Sequence, residues 1–235
     1  MSPRAPARRA AAAALAALAG LAPAGARAQG QVYDPEPPPD SAYVRFVNAL
    51  GEEVALRPAF MPALRLGTRP EERVTVYNVA PRVSGGREIV VEASAGRRSA
   101  RVVLHLQPKS FNTVLLQASA DGGIAATPLT DPVDFNRARA RLSFYNVAGC
   151  ADASVLLAPD GPAVFPGPVA SGAMATRTVQ PVTAELRVGC AGAAAPDVKL
   201  EGLEAGGMYS LWLLRPEGQG LVAFIGRDAT ARWRN

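Results

Sequence analysis

The sequence predicts an all-β protein: two tandem immunoglobulin-like β-sandwich domains behind a cleaved signal peptide and a Pro-rich linker. Three observations lead there. Short runs of alternating apolar and polar residues are broken by Gly, Pro, Asn or Asp roughly every 8–12 residues, which is the pattern of a sandwich or barrel. No stretch holds apolar residues at helical spacing over the ~10 residues a helix requires. One stretch also occurs twice, as Ala42-Tyr43-Val44-Arg45-Phe46-Val47-Asn48 and again as Ala140-Arg141-Leu142-Ser143-Phe144-Tyr145-Asn146. Val44 matches Leu142, Phe46 matches Phe144 and Asn48 matches Asn146, so each copy reads as the opening strand of one domain.

The chain divides in order. Residues 1–28 form a secretory leader: Arg4, Arg8 and Arg9 supply the basic start, Ala10 to Ala22 the short apolar run, and Ala26-Arg27-Ala28 the small residues of a cleavage site. The apolar run is shorter than the ~20 residues a membrane span requires. Residues 29–41 are a linker, because Pro35, Pro37, Pro38 and Pro39 fix φ and remove backbone donors. The first sandwich, 42–130, has expected strands at Val44–Phe46, Arg73–Val79, Ile89–Ala93, Arg101–Leu106, Phe111–Gln117 and Ile124–Thr127. Residues 131–139 are the interdomain linker, opened by Thr130-Asp131-Pro132-Val133-Asp134. The second sandwich, 140–235, has expected strands at Ala140–Val147, Ser154–Ala158, Ala173–Val179, Thr183–Val188, Met208–Leu214 and Leu221–Ile225. A constant shift of 98 relates Phe46 to Phe144 and Phe111 to Tyr209, which suggests a duplicated domain.

Charge and cysteine usage limit the function. The net charge of +5 arises from 25 basic and 20 acidic residues, and without Arg4, Arg8, Arg9 and Arg27 the basic count falls to 21. The basicity therefore belongs to the leader, and no basic patch survives to suggest nucleic acid as a partner. In an exported chain Cys150 and Cys190 read as a disulfide. His105 is the one histidine and alternates with apolar neighbours, as on the outer face of a strand. No Gly-x-Ser-x-Gly elbow, phosphate loop, dinucleotide fingerprint or zinc-ligand set is present, so neither an enzyme nor a cofactor is expected. Two groups suit binding instead. Arg137, Arg139 and Arg141 alternate, so in a strand they share one face and could meet an acidic polysaccharide or partner, or simply blunt a solvated edge. Tyr33, Tyr43, Phe46, Tyr145 and Trp212 could stack on sugars, although Phe46, Phe144 and Trp212 read first as core.

Residues 32–49, Val32-Tyr33-Asp34-Pro35-Glu36-Pro37-Pro38-Pro39-Asp40-Ser41-Ala42-Tyr43-Val44-Arg45-Phe46-Val47-Asn48-Ala49, resemble the mature N-terminus of the AlgF family of alginate O-acetylation proteins. That family's pattern is aliphatic-Tyr-Gly-Pro-x-Pro-Pro-x-Gly-Ser-Ala, an aromatic, Val-Arg, and a strand ending in Tyr-Asn. Asp34 and Asp40 replace its glycines, and Val47 replaces a common aromatic. The resemblance implies a periplasmic, non-catalytic adaptor in exopolysaccharide O-acetylation. Such a protein would bind a periplasmic SGNH-type acetyltransferase and work with a membrane O-acyltransferase. Tyr33, Tyr43 and Arg45 of the matched stretch are candidate contacts, together with the arginine row. A carbohydrate-binding or generic cell-surface sandwich is the alternative.

Overall fold

A computed structural model describes residues 36–132 and 137–233. The expected leader, residues 1–28, and Tyr33 lie outside the described residues. The described residues belong to one compact unit.

The first sandwich is built from β1 (Ala42–Asn48), β2 (Val54–Pro58), β3 (Leu64–Leu66), β4 (Asn78–Ala80), β5 (Glu88–Ala95), β6 (Arg98–His105), β7 (Phe111–Ala118) and β8 (Ile124–Asp131). Its sheets run β4-β1-β7-β8 and β3-β2-β5-β6. The second comprises β9 (Ala140–Val147), β10 (Ala153–Leu157), β11 (Met174–Val179), β12 (Ala184–Cys190), β13 (Ala193–Ala194), β14 (Val198–Leu200), β15 (Met208–Leu214) and β16 (Val222–Arg227). One of its sheets runs β11-β9-β15-β16, and in the other β12 pairs with β10, β13 and β14. The expected all-β pair of sandwiches is therefore what the chain forms. Each half contains one parallel pair, β1 with β7 and β9 with β15, among antiparallel neighbours.

Two kinds of strand follow from two environments. On β5 the alternation is simple: Ile89, Val91, Ala93 and Ala95 are buried, while Glu88, Glu92 and Ser94 face outward. A sheet with one wet face needs no more than this. β1, β9 and β15 are instead buried along nearly their whole length. Their inward faces join the core of their own sandwich, around Phe46 and Val114 or Phe144 and Leu211. Their other faces meet in a third apolar cluster of Val47, Ala49 and Leu115 from the first half and Tyr145, Trp212, Leu214 and Phe224 from the second. The four sheets thus stack in four layers, with β4-β1-β7-β8 facing β11-β9-β15-β16. Each large side chain buried in that middle layer contributes about 1.5–3 kcal/mol.

The duplication is visible in hydrogen bonds. Asn48 donates to the carbonyls of Glu52 and Gly67 and accepts from Leu50 N–H, while Asn146 donates to Cys150 and Val169 and accepts from Ala148 N–H. Each caps the turn that leaves its opening strand. The shift is 98 for these strands but not throughout. Phe46 pairs with Val114 and Phe144 with Leu211, so β7 and β15 are related by 97. Phe111 therefore corresponds to Met208, not to Tyr209. Tyr209 points into the second core, whereas Phe111 stacks on Tyr43 with ring centres 4.5 Å apart.

Two further expectations change, and the expected disulfide is formed. The strand expected at Arg73–Val79 is realised as single bridges at Val74 and Tyr77 followed by β4, because its residues are shared with the second half: Tyr77 bridges to Thr230. β8 runs past the expected Thr127 to Asp131, the first residue of the expected interdomain linker, because the Asp131 carboxylate is held by hydroxyls from both sandwiches. Cys150 and Cys190 are bonded, with Cα atoms 6.1 Å apart, at the corner where the first half has a different closure. Glu52, the counterpart of Cys150, is paired there with Arg98, which also reaches Glu217 of the second half at 2.7 Å.

Candidate functional site at the seam between the sandwiches

The principal polar constellation lies in the middle layer, around Arg45. This residue is 1 % exposed, although it alternates with apolar residues and was a candidate partner contact. The face it occupies is covered by the second sandwich. Its Nε donates to Thr113 Oγ1 (2.7 Å), Nη1 to Asp228 Oδ1 (2.6 Å) and Nη2 to the Tyr145 hydroxyl (2.9 Å). Asp131 lies 3.8 Å from Nη2. The guanidinium carbon sits 4.5 Å from the Tyr77 ring centre and 5.0 Å from that of Trp212, and Trp212 stacks on Tyr145 at 4.0 Å.

The carboxylates complete the network. Asp131 accepts from the hydroxyls of Tyr145 (2.7 Å), Tyr77 (2.8 Å) and Thr113 (2.7 Å). Asp228 accepts from Ser210 (2.7 Å) as well as from Arg45. The register makes these two aspartates the same position in the two copies. Asp131 faces Phe111 on β7, and Asp228 donates its N–H to Met208 on β15. Thr113 and Ser210 correspond in the same way, whereas the counterpart of Arg45 is Ser143. One arginine therefore serves both copies of a duplicated aspartate. Burial works against the Arg45 charge, but Asp228 first, then Tyr77, Tyr145 and Asp131, outweigh it and hold the guanidinium above its ordinary range. Burial pushes the Tyr77 and Tyr145 hydroxyls up, with Arg45 opposing and Asp131 reinforcing.

A notch of about 260 Å³ opens onto this network from the side. Arg45 and Asp228 lie at its inner end, Tyr77, Trp212 and Phe224 line it, and Val76 stands beside it with 44 % of its surface exposed. Both halves contribute, and backbone bonds from Tyr77 N–H to Ala229 O and from Ala231 N–H to Tyr77 O fasten them together beside it (both 2.8 Å).

The other expected site residues are dispersed. Tyr43 is half-buried against Phe111. Arg137 and Arg139 are exposed but precede β9, and Arg141 is 6 % exposed, donating to Pro132 O at 2.6 Å. The three do not form one face of an edge strand, because β9 lies between β11 and β15. His105 is exposed on β6, as expected, opposite Glu88. Arg73 was not singled out in the sequence. It is buried, donates to the carbonyls of Asn48 (2.8 Å) and Leu50 (3.0 Å), and burial pulls its guanidinium below the ordinary range.

The sequence matches no family model and no curated protein. Among solved structures, a family CBM26 module, CBMbc, from Eubacterium rectale Amy13K, crystallised with maltoheptaose, is 10 % identical over 83 % of this chain and 100 % of its own, with a TM-score of 0.26. A candidate cell adhesion protein from Bacteroides ovatus is 12 % identical over 86 % of this chain and 99 % of its own, with a TM-score of 0.25. At such TM-scores neither likeness carries an argument about function.

Proposed function

We propose that this chain is a non-catalytic periplasmic adaptor in exopolysaccharide O-acetylation, binding an SGNH-type acetyltransferase and acting alongside a membrane O-acyltransferase. The observation that carries this reading is the role of the AlgF-like stretch in the fold. Within it, Arg45 joins the two sandwiches and Asn48 caps the first turn. Two of the residues that carry the resemblance, Arg45 and Asn48, thus serve the packing and turn of the two-sandwich body. The buried polar groups support the same reading, since Arg45, Asp131, Tyr145 and Thr113 are bonded to one another rather than arrayed toward a substrate.

The test uses purified chain without its leader and the acetyltransferase of the same locus. A stable complex is expected, with no acetate released from a chromogenic ester above the blank. Deleting the gene is expected to remove acetyl groups from the polymer while polymer yield holds. Ester turnover by the pure protein, or unchanged acetylation in the deletion, would overturn the reading. Direct polymer binding without the acetyltransferase would select the carbohydrate-binding alternative.

A further inference from the structure

The two equivalent aspartates are not used alike. Asp131 employs both oxygens, Oδ1 for Tyr145 and Oδ2 for Tyr77 and Thr113. Asp228 takes both its bonds, from Arg45 and Ser210, on Oδ1. Its Oδ2 accepts no hydrogen bond from a described residue, yet the side chain is only 4 % exposed and lines the notch.

The charge at that point is also unbalanced. Among the described residues Arg45 is the guanidinium paired with both carboxylates. The other charged residues of the notch are already engaged, Arg227 with Glu204 at 2.7 Å and Glu71 with Arg69 at 3.4 Å. Among these residues Arg45, Asp131 and Asp228 together leave one net negative charge, and Asp228 brings it to the notch beside Tyr77, Trp212 and Phe224, with Val76 at the side. A carboxylate oxygen without a donor, set among aromatic rings, is chemistry that recognises a cationic N–H group. An anion would meet Asp228 and be repelled.

We propose that the notch receives an arginine or lysine side chain of a partner protein, its N–H donating to Asp228 Oδ2 and its methylenes lying against Val76 and the aromatic wall. The cation chemistry rests on the notch alone, and its source in a partner protein rests on the adaptor reading. A carboxylate can accept a guanidinium on each oxygen, so Arg45 keeps its own bond.

The experiment is an NMR titration of the folded chain with N-acetylarginine amide, read at the Trp212 indole and Arg45 Nε–H signals, with the citrulline counterpart as control. A saturable shift is expected with arginine and none with citrulline. Asp228→Asn is expected to weaken binding at least tenfold. Val76→Trp, which narrows the opening and leaves the network untouched, is expected to abolish it and covers the case in which the Asp228 variant fails to fold. No saturable shift, or equal shifts with citrulline, overturns the proposal. An arginine peptide with apolar flanks should bind at least tenfold more tightly than guanidinium chloride, and equal affinities would overturn the partner assignment. Acetyltransferase capture separates the two readings. Capture that survives Val76→Trp overturns the notch as the docking point and leaves the adaptor standing. An arginine shift in a protein that captures no acetyltransferase supports the notch and sinks the adaptor.

Discussion

Arg45 is where β1 departs from the alternation its sequence displays. An arginine between valine and phenylalanine reads as solvent-facing, because a single strand does not reveal that both sides of its sheet are covered. The signal that could have corrected this lay elsewhere: Tyr145 and Trp212 occupy the same face of the second copy, and too many large residues were available for one sandwich core. Removing this guanidinium would leave Asp131 and Asp228 buried without a cation. Arg45→Ala is therefore expected to lower unfolding free energy by about 3–5 kcal/mol in urea titrations. Arg45→Lys should recover little, since one ammonium cannot span Thr113, Asp228 and Tyr145 together. A loss below about 1 kcal/mol, as for surface pairs, would show the network to be dispensable. The phenols predict an alkaline limit. Below their ordinary value of 10.0 both folded and unfolded chains hold the proton, and the stabilisation is complete. Above it the unfolded chain releases protons that the folded chain retains, so stability falls by about 1.4 kcal/mol per pH unit for each phenol. Tm should therefore drop beyond that pH, and less steeply in Tyr77→Phe. An identical slope in the variant would count against a raised Tyr77.

Among the elements, the repeated opening strand was the most legible part of the chain, and Asn48 and Asn146 show why. Each satisfies the backbone of the turn that follows, a local task that spacing alone can display. Asn48→Ala and Asn146→Ala should each cost about 1–3 kcal/mol, because buried carbonyls lose their donor. Thermal melts of the two variants would check this, and the larger loss is expected for Asn48, which serves more carbonyls. The short β2, β3, β13 and β14 went unseen, since a few residues carry too little alternation to stand out. The pairing of Cys150 with Cys190 was legible from their number and the leader the sequence suggests. At a sequence separation of 40, reduction should remove roughly 4 kcal/mol in the chain-entropy model. Its counterpart, Glu52 with Arg98, is partly exposed, and Glu52→Gln should cost no more than about 1 kcal/mol. Hydrogen exchange that rises at the β9–β10 turn on reduction would locate the loss; exchange unchanged there would contradict it.

For the whole molecule, the sequence showed two units and concealed that they share a third core. Composition and turn spacing describe each sandwich separately, and nothing local states which face of one will meet the other. Because Trp212, Tyr145 and Leu115 pack in a cluster drawn from both halves, the chain is expected to unfold in one transition. Calorimetry and Trp212 fluorescence should coincide, and two separated transitions would show independent domains. Trp212→Ala should lower stability by about 3–5 kcal/mol. The meeting of matching faces has a consequence for self-association. Two first halves docked in the same manner would bring two guanidiniums to two carboxylates, a neutral and closed dimer. Two second halves would bring two carboxylates and a pair of serines, with no cation between them. A single position, arginine in one copy and serine in the other, thus leaves the unlike pairing within one chain a single cation for its two carboxylates, and leaves the second half unable to substitute for its sibling.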